Sequence, residues 1–144
     1  MGREQLLKEL KQDLLREIPN AVNKIKLDDG DKVCYISLLG TDDENVLGLI
    51  QLGIESYRNK IIKKKGMNKC SLWNSGNMPV EYQIGIESVY PSFSEKQEKL
   101  KILFGYVEDE ENEEWEARWE ACQILRYEVA YELNSFNWSI IMPI

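Results

Sequence analysis

From Asn112 to Asn134 the apolar residues Trp115, Trp119, Cys122, Leu125, Val129 and Leu133 recur at every third or fourth position. That period belongs to an α-helix with one buried face, so the segment predicts a long helix, the best-defined of the chain. Such a helix draws most of its stability from packing its apolar stripe on a second layer. The rest of the sequence has to supply that layer.

Two stretches do so. From Arg3 onward, Leu6, Leu7, Leu10, Leu14 and Ile18 repeat at helical spacing between Lys, Glu and Gln, which predicts an amphipathic N-terminal helix. Pro19 is expected to end or bend it, with Val22 and Ile25 able to carry the same face one turn further. "LDDGDK" then supplies turn chemistry, and "KVCYISLLG" (Lys32 to Gly40) reads as a strand placed centrally in a sheet. After the polar turn "TDDEN", "VLGLIQLGI" reads as its hairpin partner, with Gly48 and Gly53 marking a bulge or a close approach. The fold class predicted is α+β: a mostly antiparallel sheet carrying an N-terminal amphipathic helix and a long C-terminal helix, in a single domain over residues 1–144.

The remaining elements are shorter. "ESYRNKIIKKKG" predicts a helix ending on Lys63, Lys64, Lys65 and Gly66. After an Asn-Ser-Gly-Asn turn, Val80, Tyr82, Ile84 and Ile86 alternate with polar residues, as in a strand with one wet face. Ser94, with Gln97 three residues on, predicts a helix N-cap before a segment that passes into a strand at "KILFGYV". "SFNWSIIMPI" closes the chain as an edge strand or as a tail packed by Trp138.

Charge separates the last quarter of the chain from the rest. The net charge is −7, and residues 108–144 alone hold ten acids against two bases. Eight of those acids stand between Glu108 and Glu120, beside Arg118 alone. Carboxylates in the first turn of a helix interact favourably with its dipole, at about 0.3 to 1 kcal/mol each, but crowded like charges repel. Two or three would satisfy the helix; six of them, from Glu108 to Glu114, lie at its start. An acidic face of this kind repels phosphate backbones, which argues against nucleic acid, and attracts a basic protein.

Other chemistry is thinly represented. Histidine is absent, which removes the commonest general base and transition-metal ligand. Neither "DDGDKVCYISLL" nor "DEENEEWEARWE" places ligands as a calcium-binding EF-hand loop does. Cys34, Cys70 and Cys122 are widely spaced and odd in number, a pattern of reduced thiols rather than of a disulfide framework or zinc site. No metal and no cofactor is expected. A glycosidase-like carboxylate pair stays open, since any two of the 25 acids can meet in a fold. Ser71 and Ser75 lack a nucleophile-elbow motif, and no glycine-rich phosphate loop occurs.

The apolar runs fall short of the roughly 20 residues of a membrane span. The N-terminus has no secretory pattern, and Leu6 stands where a myristoylation motif needs Ser or Thr. A cytoplasmic location is the expectation. Trp73, Tyr82, Tyr90 and Tyr106 read as core aromatics, with Trp73 and its turn also readable as part of a recognition surface.

The leading helix, the "CYISLL" strand with its acidic "TDDEN" turn, the segment "LWNSGNMPVEY" and the long late helix together resemble an uncharacterised group of small bacterial domains. Members of that group resemble immunity proteins of polymorphic-toxin systems. The resemblance covers most of residues 3–134. It implies a non-enzymatic inhibitor that binds a cognate toxin in the cytoplasm of the cell that makes it, and it brings no catalytic residue with it.

The site expected is therefore a partner-binding face of Glu110, Glu111, Glu113, Glu114 and Glu116, with Trp73 as apolar contact. Two other classes stand beside it: a small hydrolase using two carboxylates, and a self-associating structural subunit.

Overall fold

A computed structural model describes residues 2–41, 46–63, 78–105 and 113–144, without the side chain of Glu113. Their order is α1 (Arg3–Lys24), β1 (Val33–Leu39), β2 (Leu49–Ile54), α2 (Glu55–Lys63), β3 (Gln83–Gly85), α3 (Phe93–Leu103) and α4 (Glu113–Leu133). This is the α+β class: among the described residues, helices pack around a three-stranded antiparallel sheet in the order β1-β2-β3.

α1 is the hub. Its buried stripe of Leu6, Leu10, Leu14, Ile18 and Val22 packs into one core with Cys122, Leu125, Val129 and Leu133 of α4 and with Ile50, Leu52 and Ile54 of β2. Each fully buried aliphatic side chain contributes about 1.5 to 3 kcal/mol relative to exposure. α1 and α4 run the same way: Arg3 reaches Glu114, while Lys11 reaches Glu128 and Glu132 further along, at 3.4 and 3.2 Å. Pro19 does not end α1. It sits inside the helix and is buried beside Ile18, so packing outweighs the donor it lacks.

β1 and β2 form the expected hairpin, with Ile36 opposite Leu52 and Leu38 opposite Ile50. The placement of β1 at the centre is corrected: among the described strands β2 occupies the middle and β1 an edge. β2 is also the more buried, every residue from Ile50 to Ile54 being enclosed. Gly53 answers to a close approach, since a Cβ there would lie 2.0 Å from Cε1 of the Tyr35 ring. The register shifts between Val33 and Tyr35, which places the irregularity in β1 rather than at a glycine.

The long strand read from Val80 to Ile86 is also corrected. Only Gln83–Gly85 pairs with β2, and single 3-10 turns flank it at Val80–Tyr82 and Ile86–Ser88. The buried Gln51 amide donates to the carbonyls of Pro79 and Tyr82, at 3.2 and 3.1 Å, and ties the first turn down. Two further corrections concern α3. It starts at Phe93 behind Ser92, and Ser94 instead donates its hydroxyl to Glu87. Lys101–Leu103 is helix rather than strand, and Gly105 follows at φ 71°.

Gln97, expected in a cap, is buried. It accepts the Val46 amide proton at 3.0 Å and donates to the Leu47 carbonyl, while Arg126 of α4 donates to the Val46 carbonyl at 3.2 Å. These bonds pin the start of β2 between α3 and α4. The C-terminal segment is a tail rather than a strand: Trp138 donates its indole proton to the Leu133 carbonyl and packs edge-on against Phe136. The "TDDEN" turn beyond Thr41, Lys64, Lys65 and Gly66, Cys70 and the Asn-Ser-Gly-Asn turn lie outside the described residues.

Candidate functional site

Of the expected face, Trp73, Glu110 and Glu111 lie outside the described residues, as does Tyr106. Glu113 opens α4, while Glu114 and Glu116 are exposed on its first two turns. The structure separates the last two. Glu114 pairs with Arg3 at 3.4 Å, and that guanidinium also lies 4.6 Å over the Phe104 ring. Exposed pairs of this kind contribute about 0 to 1 kcal/mol, so Glu114 is partly engaged within the chain. Glu116 and Glu120 point outward, and no described cation lies within ion-pair distance of either.

At 100° per residue, Glu116 and Glu120 share their face of α4 with Ile124, Tyr127 and Tyr131. The last three are 51, 71 and 67% exposed, a high value for apolar side chains on a core helix. The two tyrosines stack with ring centres 6.4 Å apart. The outward face of α4 therefore changes from acidic to aromatic along its length. The sequence held the signal, because these residues fall opposite the buried stripe, but attention to that stripe alone passes over them. Trp115 and Trp119, read as part of the stripe, are only half-buried and stack on each other 5.9 Å apart.

Beside the tyrosines a groove of about 480 Å³ opens between β1 and the C-terminal half of α4. Ile36 and Leu38 form one wall, Tyr127, Ala130 and Tyr131 the other, and Trp138 and Met142 lie at its tail end. Among the described residues, no charged side chain lines it.

Among the described residues, the buried acid lies elsewhere. Asp13 of α1 receives hydrogen bonds from Tyr90, from Lys96 at 2.6 Å and from Arg16 at 3.0 Å. Burial by itself would push the Asp13 carboxyl up, but these donors outweigh it and hold the group below the usual carboxylate range. Lys96 is held above its ordinary value, chiefly by its bond to Asp13. A carboxylate kept ionised by three donors is a structural tie rather than a proton donor. A second tie joins the Tyr82 hydroxyl to Asp31 at 2.8 Å, with Asp28 at 3.4 Å.

Burial pushes the Cys122 thiol up to about 11 and raises that of Cys34, which donates to the Gly53 carbonyl. Both are poor nucleophiles at neutral pH. Among the described residues, no group of three or more Cys, Asp or Glu is placed to hold a metal ion, and no helix is long and apolar enough to cross a membrane. Comparison with protein-family models, with curated proteins and with solved structures gives no match.

Proposed function

We propose that this chain is a non-enzymatic binding protein that neutralises a basic partner, in the manner of the immunity proteins it resembles, within the bacterial cytoplasm where a cognate toxin is made. The observation that carries the reading is the outward face of α4, where Glu116 and Glu120 lead into exposed Ile124, Tyr127 and Tyr131. Carboxylates at the rim steer a cationic partner and raise its association rate; tyrosines supply contact area at small entropic cost. Glu113 and Glu114 add to the acidic end of the same helix, Glu110 and Glu111 stand just before it in the sequence, and Trp73 is proposed as an additional apolar contact.

The test is capture from the native cell by the tagged chain at low and at high salt, with the bound protein identified by mass and then purified. The expected result is a stoichiometric basic protein whose association slows as salt rises. Replacing Glu110, Glu111, Glu113, Glu114 and Glu116 together with Gln is expected to slow that association and flatten its salt dependence. An unchanged association rate at low salt would overturn the role given to the acidic face.

A further inference from the structure

We infer that the groove between β1 and α4 receives an extended segment of the basic partner, with alternating apolar residues and a flanking lysine or arginine, which adds as a strand to the edge of β1. This builds on the binding reading above.

Three observations meet at this place. No described strand pairs along the outer edge of β1, and "VCYISLL" carries no charge and no proline. Sheet edges are ordinarily protected by charge, proline, bulges or a covering element; the irregularity of β1 lies at Val33–Tyr35, and the uncharged stretch beyond it, from Ile36 to Leu39, is a template for another strand. The tail already uses one end of it, since the Val33 amide donates to the Pro143 carbonyl at 2.9 Å. An incoming segment then has the stretch from Ile36 to Leu39, about four residues at about 3.3 Å each.

The second observation is the groove itself. Ile36 and Leu38 stand opposite Leu52 and Ile50, which are core residues, so they share the core face of the sheet. Alternate side chains of an added strand would fall on that face, into the space walled by Tyr127 and Tyr131.

The third is charge. Glu120 lies two turns before Tyr127 on α4, about 10 Å away along the helix axis. An extended chain covers that distance in about three residues, which places the basic residue about three positions from the last apolar one. A second copy of this chain is the weaker occupant. It carries the same net charge of −7 and would bring two acidic helices together across the edge.

The probe is a capped synthetic peptide with a Val-Thr-Val-Tyr-Val core flanked at each end by Ser-Lys-Lys, titrated into the isotope-labelled full chain. The expected result is amide shifts confined to β1, the tail and the C-terminal half of α4. Tyr127→Ala with Tyr131→Ala, which removes the outer wall, is expected to weaken binding about tenfold or more. Ala130→Arg, which fills the groove mouth and repels the lysines, should do the same. Three results would overturn the inference: no shift at β1 up to about 1 mM peptide; equal affinity in both variants; or protection, in the free protein, of those amides between Ile36 and Leu39 that point away from β2. Sedimentation would assign such protection to a second copy or, in a monomer, to residues 64–77 of the same chain. Glu116→Gln with Glu120→Gln reports on the acidic face alone: binding at β1 that ignores this change retains the groove and removes the steering role.

Discussion

The interface of α1 with α3 and the interface of α4 with β1 use charge in opposite ways. At the first, Asp13, Lys96, Arg16 and Glu9 form a network, with Lys96 reaching Glu9 at 3.0 Å and Asp13 at 2.6 Å. Beside the second, on the same helix, Glu116 and Glu120 are exposed with no described cation in reach, two tyrosines lie open, and the groove is lined by no charged side chain among the described residues. Charge on the first side holds two helices together; charge on the second pairs with no described group. Substitutions on the two sides should therefore differ in sign as well as in size.

The largest effect belongs to Asp13→Ala. It leaves Lys96, whose side chain is only 23% exposed, without its closest carboxylate, and Tyr90 without an acceptor. Breaking a buried pair from one side costs about 3 to 5 kcal/mol; Glu9 still reaches Lys96, so the lower end is expected in urea unfolding. The pH dependence carries the same signature. The Asp13 carboxyl is depressed in the folded state, so its contribution is present above the unfolded value of about 3.9 and lost as pH falls through the folded one. Lys96 is raised, so its contribution is present below about 10.4 and lost only as pH rises beyond it through the folded value. Urea midpoints of the parent should drop in acid, stay level through neutral pH and fall again above about 8.5, where the unfolded chain ionises the thiol that burial keeps neutral at Cys122, while Asp13→Asn should shallow only the acid limb. An unchanged acid limb would show that the network does not hold the helices.

Gly53→Ala comes next and bridges the two regions. The new methyl would overlap the Tyr35 ring, which must swing off β2, at a cost of about 1 to 3 kcal/mol. Tyr35 also lines the groove, so the same substitution should alter peptide binding at β1 as well as the thermal midpoint. Lost stability with unaltered binding would separate the hairpin from the groove.

The elements most readable in the sequence are those whose partners lie along their whole length. α1 and α4 each show a period set by one continuous buried face, and the β1–β2 hairpin shows two apolar runs joined by a polar turn. The failures come from single long-range bonds that no period announces. Gln51 reaches the carbonyls of Pro79 and Tyr82, and the Tyr82 hydroxyl reaches Asp31; together they hold 80–82 as a turn where alternation reads as strand. Gln97 serves the backbone at Val46 rather than a helix cap. Strand order was not legible either, because the apolar pattern of β1 suits an edge beside a groove as well as a centre. Of the candidate site, the acids of α4 were legible as a run, but not which of them α1 engages. Tyr127 and Tyr131 stand on a face that the buried stripe defines only by exclusion.

The smallest effects belong to α4. Tyr127→Ala and Tyr131→Ala remove exposed side chains and should leave stability within about 0.5 kcal/mol of the parent. Glu116 and Glu120 stand four residues apart on one exposed face, where like charges repel by about 0.2 to 0.5 kcal/mol. Glu120→Gln, beyond the first turn where the helix dipole favours an acid, should therefore raise stability by about that amount at low salt, and the gain should fade as salt screens the pair. A residue whose removal stabilises the fold is not kept in place by the fold, and Asp13 is the opposite case. Urea unfolding of Glu120→Gln at two salt concentrations decides between them. A loss of stability would mean that Glu120 has a partner within the chain, and α4 would then resemble the α1–α3 interface rather than contrast with it.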